Sequence, residues 1–186
     1  MNKANPIPLG LLGYGMSTVL LSFANMGTYA AGGMVFSMAI FFGGIAQAMV
    51  CVMLYQKGDT FGTTAFGGYA FLWLSFAFIN IGGAHGWWTV GNKDVGYYLL
   101  LWAIFTAGLA MASTVAPKVL TIILLMTIVL LGSLGLGAIN NLTSLSKFGG
   151  YEGVLTGALA IYLAFAFLIN ETHGNSKWPV GSPFRG

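Results

Sequence analysis

The chain has 186 residues, 57% of them hydrophobic and 6% charged, with a formal net charge of +3. A soluble domain carries about 25% charged residues, so the seven basic and four acidic side chains here could not solvate a globule of this size. Apolar excess excludes disorder, collagen and coiled coil, the lone Cys51 excludes an internal disulfide framework or a thiolate metal site, and the scattered charge excludes a nucleic-acid surface.

What remains is an all-α, polytopic membrane protein. A spanning helix needs about 20 mostly apolar residues, because a backbone in lipid must satisfy its own hydrogen bonds. The uncharged runs predict six spans, in chain order 8–25, 33–55, 64–81, 95–115, 119–140 and 152–170. The connections are a small-residue turn at 25–33, a charged loop at 56–62, the longest loop at 82–94, a tight turn at 116–118 and a loop at 140–151. Together the spans form one bundle and a single transmembrane domain over residues 1–186, with a short segment at 1–7 and a polar tail at 171–186 outside the lipid.

Six spans leave both termini on one side. That side carries Lys3, Lys57, Lys118, Lys177 and Arg185, against Lys93 and Lys147 opposite. The positive-inside rule therefore predicts cytoplasmic termini in a multi-pass protein of the cytoplasmic (inner) membrane. The first stretch is read as a span and not as a signal peptide, since Lys3 is its only basic residue and its apolar run is long.

Glycine occurs 28 times, roughly twice the average share. Gly44 with Ala48, Gly153 with Gly157, and Ala160 with Ala164 form small-xxx-small steps, and Gly132, Gly135 and Gly137 thin the fifth span. Such residues let helix backbones approach closely. Trp87, Trp88, Tyr97, Tyr98 and Trp178 fall near the predicted interfaces, where aromatic rings anchor helices.

No Asp, Glu, Lys, Arg or His falls at mid-span. This removes carboxylate proton relays, gating arginines and haem-ligating histidine pairs. His85 and His173 lie in a loop and in the tail. Zinc-protease motifs, a nucleophile elbow and a phosphate-binding glycine loop are absent from the sequence, so no enzyme activity, cofactor or metal is expected. Two stripes carry the polar chemistry instead. Tyr14, Thr18, Ser22 and Asn25 recur at spacings of 4, 4 and 3, and Tyr69, Trp73, Phe76 and Asn80 at 4, 3 and 4, each set on one helical face. Gln47 lies one turn from Gly43 and Cys51, and Thr121 and Thr127 lie in the fifth span. A lone hydroxyl in such a helix bonds its own backbone, and a lone amide reads as interhelical glue. Taken together, the stripes fit either a narrow amphipathic passage for a small solute or bundle glue.

The segment Asn5-Pro6-Ile7-Pro8-Leu9-Gly10-Leu11-Leu12-Gly13-Tyr14-Gly15-Met16 resembles the NPAPLGL signature of the acetate uptake transporters. That family includes the bacterial succinate–acetate permeases and their fungal relatives. Phe42-Gly43-Gly44-Ile45-Ala46-Gln47 is similar to its YGGxAQ stretch, and the ten residues from Lys57 to Phe66 to its KGNTFGxTAF loop. Trp178-Pro179-Val180-Gly181 resembles its PVG or PIG ending. Order and spacing agree over nearly the whole chain. The resemblance implies a six-helix protomer, a homohexamer with one solute path per protomer, and proton-linked uptake of short-chain carboxylates, acetate first and then succinate. Its narrowing positions carry over to Tyr14, where many relatives have Phe, to Tyr69, and to Thr127, where relatives are apolar. Gly68 and Ala70 replace the family's Ser and Gly beside the tyrosine, a departure that bears on the preferred substrate more than on its class.

A bare carboxylate at bilayer depth costs at least about 2.5–3.5 kcal/mol, and no cation waits for it there. Pro6 and Pro8 fix φ where the first helix begins, Asn5 is placed to cap it, and the N–H groups of Leu9, Gly10 and Leu11 form a partial positive pole for a carboxylate at the cytoplasmic mouth. Plain helix initiation explains the same residues. The acid can also cross with its own proton, as neutral acetic acid. The candidate pathway is therefore Asn5, Pro6, Pro8, Leu9, Gly10, Tyr14, Thr18, Gln47, Tyr69 and Thr127, with acetate, protons and lipid as partners. Competing readings are a channel for neutral small solutes or ammonia, and a non-transporting membrane assembly protein.

Overall fold

The structure, a computed structural model, describes residues 4–175 and 177–185. Lys3, counted above among the terminal-side cations, and the rest of 1–3 lie outside the described residues. Six helices are long and apolar enough to cross a membrane: α1 Ile7–Met26, α2 Gly33–Tyr55, α3 Thr60–Ala84, α4 Asn92–Val115, α5 Lys118–Ile139 and α6 Thr143–His173. No strand occurs among the described residues. The expected all-α bundle of six spans is what the chain forms.

Local chemistry explains where the helices begin and end. Pro8 stands in the first turn of α1, where a missing N–H costs nothing, and Gly27 ends that helix at φ 89°. The Asp59 carboxylate accepts the Gly62 N–H at 2.8 Å and starts α3. Within α2, Ala39–Ala46 is π-helical, a widened turn that rotates everything after it. Gln47 is the first residue past that turn.

α1 lies along α6 and also touches α2 and α3, while α5 packs between α4 and α6. The α1–α6 contact depends on absent side chains. A Cβ on Gly157 would stand 2.7 Å from the Gly15 carbonyl oxygen, and one on Gly15 would stand 2.8 Å from that of Gly157. On the other flank of α1, a Cβ on Gly13 would meet the Phe42 carbonyl.

The largest departure from expectation is α6. It starts at Thr143 and not at 152, so the loop expected at 140–151 shrinks to 140–142. The added turns are polar, which hid them from an apolarity reading, and protein contacts hold them. Gly149 packs on Ser133 and Leu134, and Gly150 on Met26 and the Ser22 carbonyl. Glu152 is consequently an interior residue of α6 and not the first residue of its span. The Thr156 hydroxyl donates to Glu152 Oε1 at 2.6 Å. Oε2 is buried with no partner among the described residues.

The tail folds back onto the bundle. Asn170 exchanges two hydrogen bonds with the Trp178 backbone, both at 2.8 Å, and Trp178 stacks on Tyr162. The Gly181 and Val180 carbonyls then accept the N–H groups of Lys118 and Val119 at 3.4 and 3.2 Å, capping an α5 terminus that has no side-chain cap. Trp178 is thus fastened to α6 while its ring remains partly exposed. Tyr98 is fastened to α3, since its hydroxyl donates to the Leu72 carbonyl at 2.8 Å, whereas Trp87 and Tyr97 remain exposed.

Replacing Gly157 with Leu should destabilise the protein by about 1–3 kcal/mol or more through overpacking. Gly132→Ala, where a Cβ meets nothing within 4 Å, should leave stability unchanged or slightly higher. Thermal unfolding of the two variants in detergent checks this.

Candidate functional site: two cavities meeting at a tyrosine pair

The two polar stripes face the same interior space. A cavity of about 190 Å³ is lined by Thr18, Ser22 and Asn25 of α1 and by Trp73 and Phe76 of α3, with Leu130 and Leu134 of α5. A second, of about 210 Å³, is lined by Ile7, Leu11, Gln47, Asp59, Phe66 and Ile123, among others. On the same measure one water needs about 10–15 Å³, so each has room for a small solute. The first opens toward the α3–α4 and α5–α6 connections and is termed the loop-side cavity. The second lies toward the termini.

Tyr14 and Tyr69 line both cavities. Their ring centroids are 5.2 Å apart, and the residues are 7% and 6% exposed. They form the waist between the two cavities. Asn80 of the second stripe falls elsewhere, in a separate cavity beneath the α3–α4 loop, where its amide donates to the Phe76 carbonyl at 2.8 Å.

Proton positions at the waist follow from counting donors. Thr127 Oγ1 donates to the Ile123 carbonyl at 2.7 Å. A hydroxyl has one proton, so in the 2.6 Å contact between Tyr14 and Thr127 the tyrosine is the donor. Likewise Thr106 donates to the Trp102 carbonyl at 2.8 Å, and Tyr69 donates to Thr106 at 3.0 Å. Thr18 donates to the Tyr14 carbonyl at 2.7 Å. Every one of these hydroxyl protons is committed to the protein. The waist therefore offers oxygen lone pairs and no O–H donor.

The cavities on either side differ. Trp73 Nε1, in the loop-side wall, is a buried donor with no partner among the described residues, and Ser22 and Asn25 add a hydroxyl and an amide. In the terminal-side cavity, Gln47 Nε2 donates to the Gly10 carbonyl at 3.1 Å. Gln47 Oε1 is buried without a partner among the described residues.

The opening segment is placed less directly. Ile7 and Leu11 reach the terminal-side wall, while Asn5, Pro6, Pro8, Leu9 and Gly10 are not among its lining residues. Asn5 Oδ1 accepts the Ile7 N–H at 3.1 Å, and Asn5 Nδ2 donates to Glu171 at 3.1 Å, tying the segment to α6. The expected positive pole is smaller than the sequence suggests. Because α1 starts at Ile7, the Gly10 N–H already donates to the Pro6 carbonyl at 3.3 Å, and that of Leu11 falls within the helical ladder. Gly10 contributes its carbonyl to Gln47 and a gap that the Phe66 ring fills.

Thr106, the acceptor for Tyr69, was not among the candidates. Its signal was present, since Leu99, Ala103, Thr106 and Ala110 recur at 4, 3 and 4 and form the buried face of α4. Trp73 was noted in its stripe without its free donor, which periodicity does not reveal.

Residues 1–181 match the profile of the GPR1/FUN34/yaaH family. The chain belongs to that family. It is 38% identical over 179 residues to the succinate-acetate/proton symporter SatP of Escherichia coli strain K12, covering 96% of this chain and 95% of that protein. The solved structure of the bacterial acetate channel SatP matches with a TM-score of 0.95 at 38% identity, covering 97% of this chain and 100% of that one. Ammonia transport outward protein 2 of Saccharomyces cerevisiae is 34% identical over 181 residues, covering 88% of this chain and 61% of that protein. These members of the GPR1/FUN34/yaaH family are named as transporters or channels, not as enzymes.

Substituting Gln47 with Met removes one buried hydrogen bond and one unpartnered buried acceptor together. Those terms oppose each other, so thermal unfolding should place Q47M within about 1 kcal/mol of the parent. A loss of several kcal/mol would mean that Oε1 is bonded in the resting protein.

Proposed function

We propose that this protein carries short-chain carboxylic acids, acetate first, across the cytoplasmic membrane, and that the acid crosses the waist with its own proton. The relatives named for acetate support the substrate class. The observation that carries the proton linkage is the donor count at Tyr14 and Tyr69. A carboxylate there meets lone pairs, while an undissociated acid donates its O–H to one of them. Trp73, Ser22 and Asn25 supply donors that suit a carboxylate oxygen before the waist. We place both termini in the cytoplasm, from the cations on that side, and the loop-side cavity outside. The protomers assemble as a homohexamer with one path each, as the family resemblance implies. Within the path, Tyr14, Thr18, Gln47, Tyr69 and Thr127 touch the solute or set the waist, and the segment from Asn5 to Gly10 positions α1 beneath it.

Ammonia is a second reading, favoured by the relative named for ammonia export and by lone pairs that accept N–H as well as O–H. The two readings respond to pH in opposite senses. The neutral fraction of a carboxylic acid falls about tenfold per pH unit above its pKa, whereas that of ammonia rises with pH until its own pKa is passed.

Flux of labelled acetate into proteoliposomes, corrected for protein-free liposomes, should fall by about that factor per unit as external pH rises. Thr127→Val leaves the Tyr14 O–H without its acceptor and free to donate to an anion, so it should flatten the profile. Flux that follows total acetate regardless of pH would refute the reading.

A further inference from the structure

The cavity beneath the α3–α4 loop stands apart from the two that meet at the waist. It encloses about 220 Å³, and its wall includes Phe76 and Asn80 of α3, Trp88 of the connection, and Asp94 and Tyr98 of α4. Asp94 is the charged residue of this wall, and no Lys, Arg or His among the described residues lines it. Starting α4 occupies only one of the two Asp94 oxygens, since Oδ2 accepts the Gly91 N–H at 2.8 Å. The polar tips of the neighbouring side chains are bonded to the backbone of α3. Trp88 Nε1 donates to the Ile79 carbonyl at 3.2 Å, the Tyr98 hydroxyl to the Leu72 carbonyl at 2.8 Å, and Asn80 Nδ2 to the Phe76 carbonyl at 2.8 Å. The Trp88 ring is seated on Gly82, where a Cβ would collide with it, and lies 4.9 Å from the Phe78 ring between centroids. The wall thus offers an occupant aromatic surface held in place, the Asn80 oxygen and one negative charge.

We propose that this cavity is a binding site for a small alkylated ammonium cation, its methyl or methylene groups against Phe76, Trp88 and Tyr98 and its charge beside Asp94. Aromatic rings attract such a cation through their quadrupole, and the neighbouring carboxylate adds a direct attraction. An anion is repelled by Asp94, and a neutral solute gains nothing from that charge. The site therefore takes a different class of ligand from the cargo of the path. It adjoins the path nonetheless, since Phe76 and Val95 line both this cavity and the loop-side one. A trimethylammonium group has this chemistry whether it belongs to a free solute or to a lipid headgroup. Nothing in the site depends on what crosses the waist.

The test is a ligand-observed NMR titration of the full chain in a maltoside detergent, with choline as the probe. Choline should bind saturably, and its uncharged isostere, in which carbon replaces the nitrogen, about tenfold more weakly. Asp94→Asn keeps an oxygen for the Gly91 N–H, so D94N should unfold at the parent's temperature and bind choline about tenfold more weakly. Trp88→Leu should weaken choline binding as well, and decides the matter if D94N does not fold. A short-chain phosphatidylcholine that displaces choline supports a lipid headgroup as the natural occupant, and one that does not supports a free solute. Choline that fails to saturate overturns the inference. So does an isostere that binds as tightly as choline, since the charge then plays no part. Choline bound by folded D94N and W88L as tightly as by the parent overturns the assignment to this cavity.

Discussion

A hydroxyl or amide enclosed by this helical bundle has no bulk water to bond, so leaving its proton without an acceptor on the protein is costly. At the waist that cost is avoided by chains of donation. Tyr14 donates to Thr127 and Thr127 to a backbone carbonyl, and Tyr69 repeats the pattern through Thr106. Satisfying the hydroxyls internally determines what they can offer a passing solute. Their lone pairs remain and their protons do not.

The fold makes this arrangement by close approach. Glycines at positions 13 and 15 bring α1 against α2 on one flank and α6 on the other, which sets Tyr14 in the centre. The π-helical stretch of α2 turns Gln47 toward α1, where Gly10 provides its acceptor. Gly43 makes room for the Trp73 ring. The opening motif thus ties α1 to α2 through the Gly10 carbonyl and, through Asn5 and Glu171, to α6.

The bundle and the two stripes were legible in the sequence because apolar runs and a period of 3.6 residues are properties of the chain itself. Tyr14, Thr18, Tyr69 and Trp73 were found to share a cavity for that reason. The start of α6 was not legible. Its first turns are polar and owe their helicity to Gly149 and Gly150 packing on neighbours distant in sequence, and so Glu152 was taken for an end residue. Donor directions were equally hidden, since Thr127 and Thr106 acquire their meaning from carbonyls on their own helices and tyrosines on others. The positive pole at Leu9 to Leu11 was overestimated because α1 starts at Ile7, so that the Gly10 and Leu11 donors are already taken up by the helix.

Magnitudes favour a neutral cargo. Protonating a carboxyl costs about 1.4 kcal/mol for each pH unit above its pKa. A bare carboxylate at bilayer depth costs about 2.5–3.5 kcal/mol at the lenient end, with values above 10 kcal/mol for charges on isolated helices. A waist without donors would lie toward the unfavourable end of that range, which is why the proposed cargo is the protonated acid in mildly acidic medium. Such a crossing moves no net charge. The most direct measurement is labelled acetate uptake into proteoliposomes clamped at different membrane potentials by potassium and valinomycin. The account predicts one flux at every potential. A flux that rises and falls with the imposed voltage would mean that the anion itself passes between Tyr14 and Tyr69, and would contradict it.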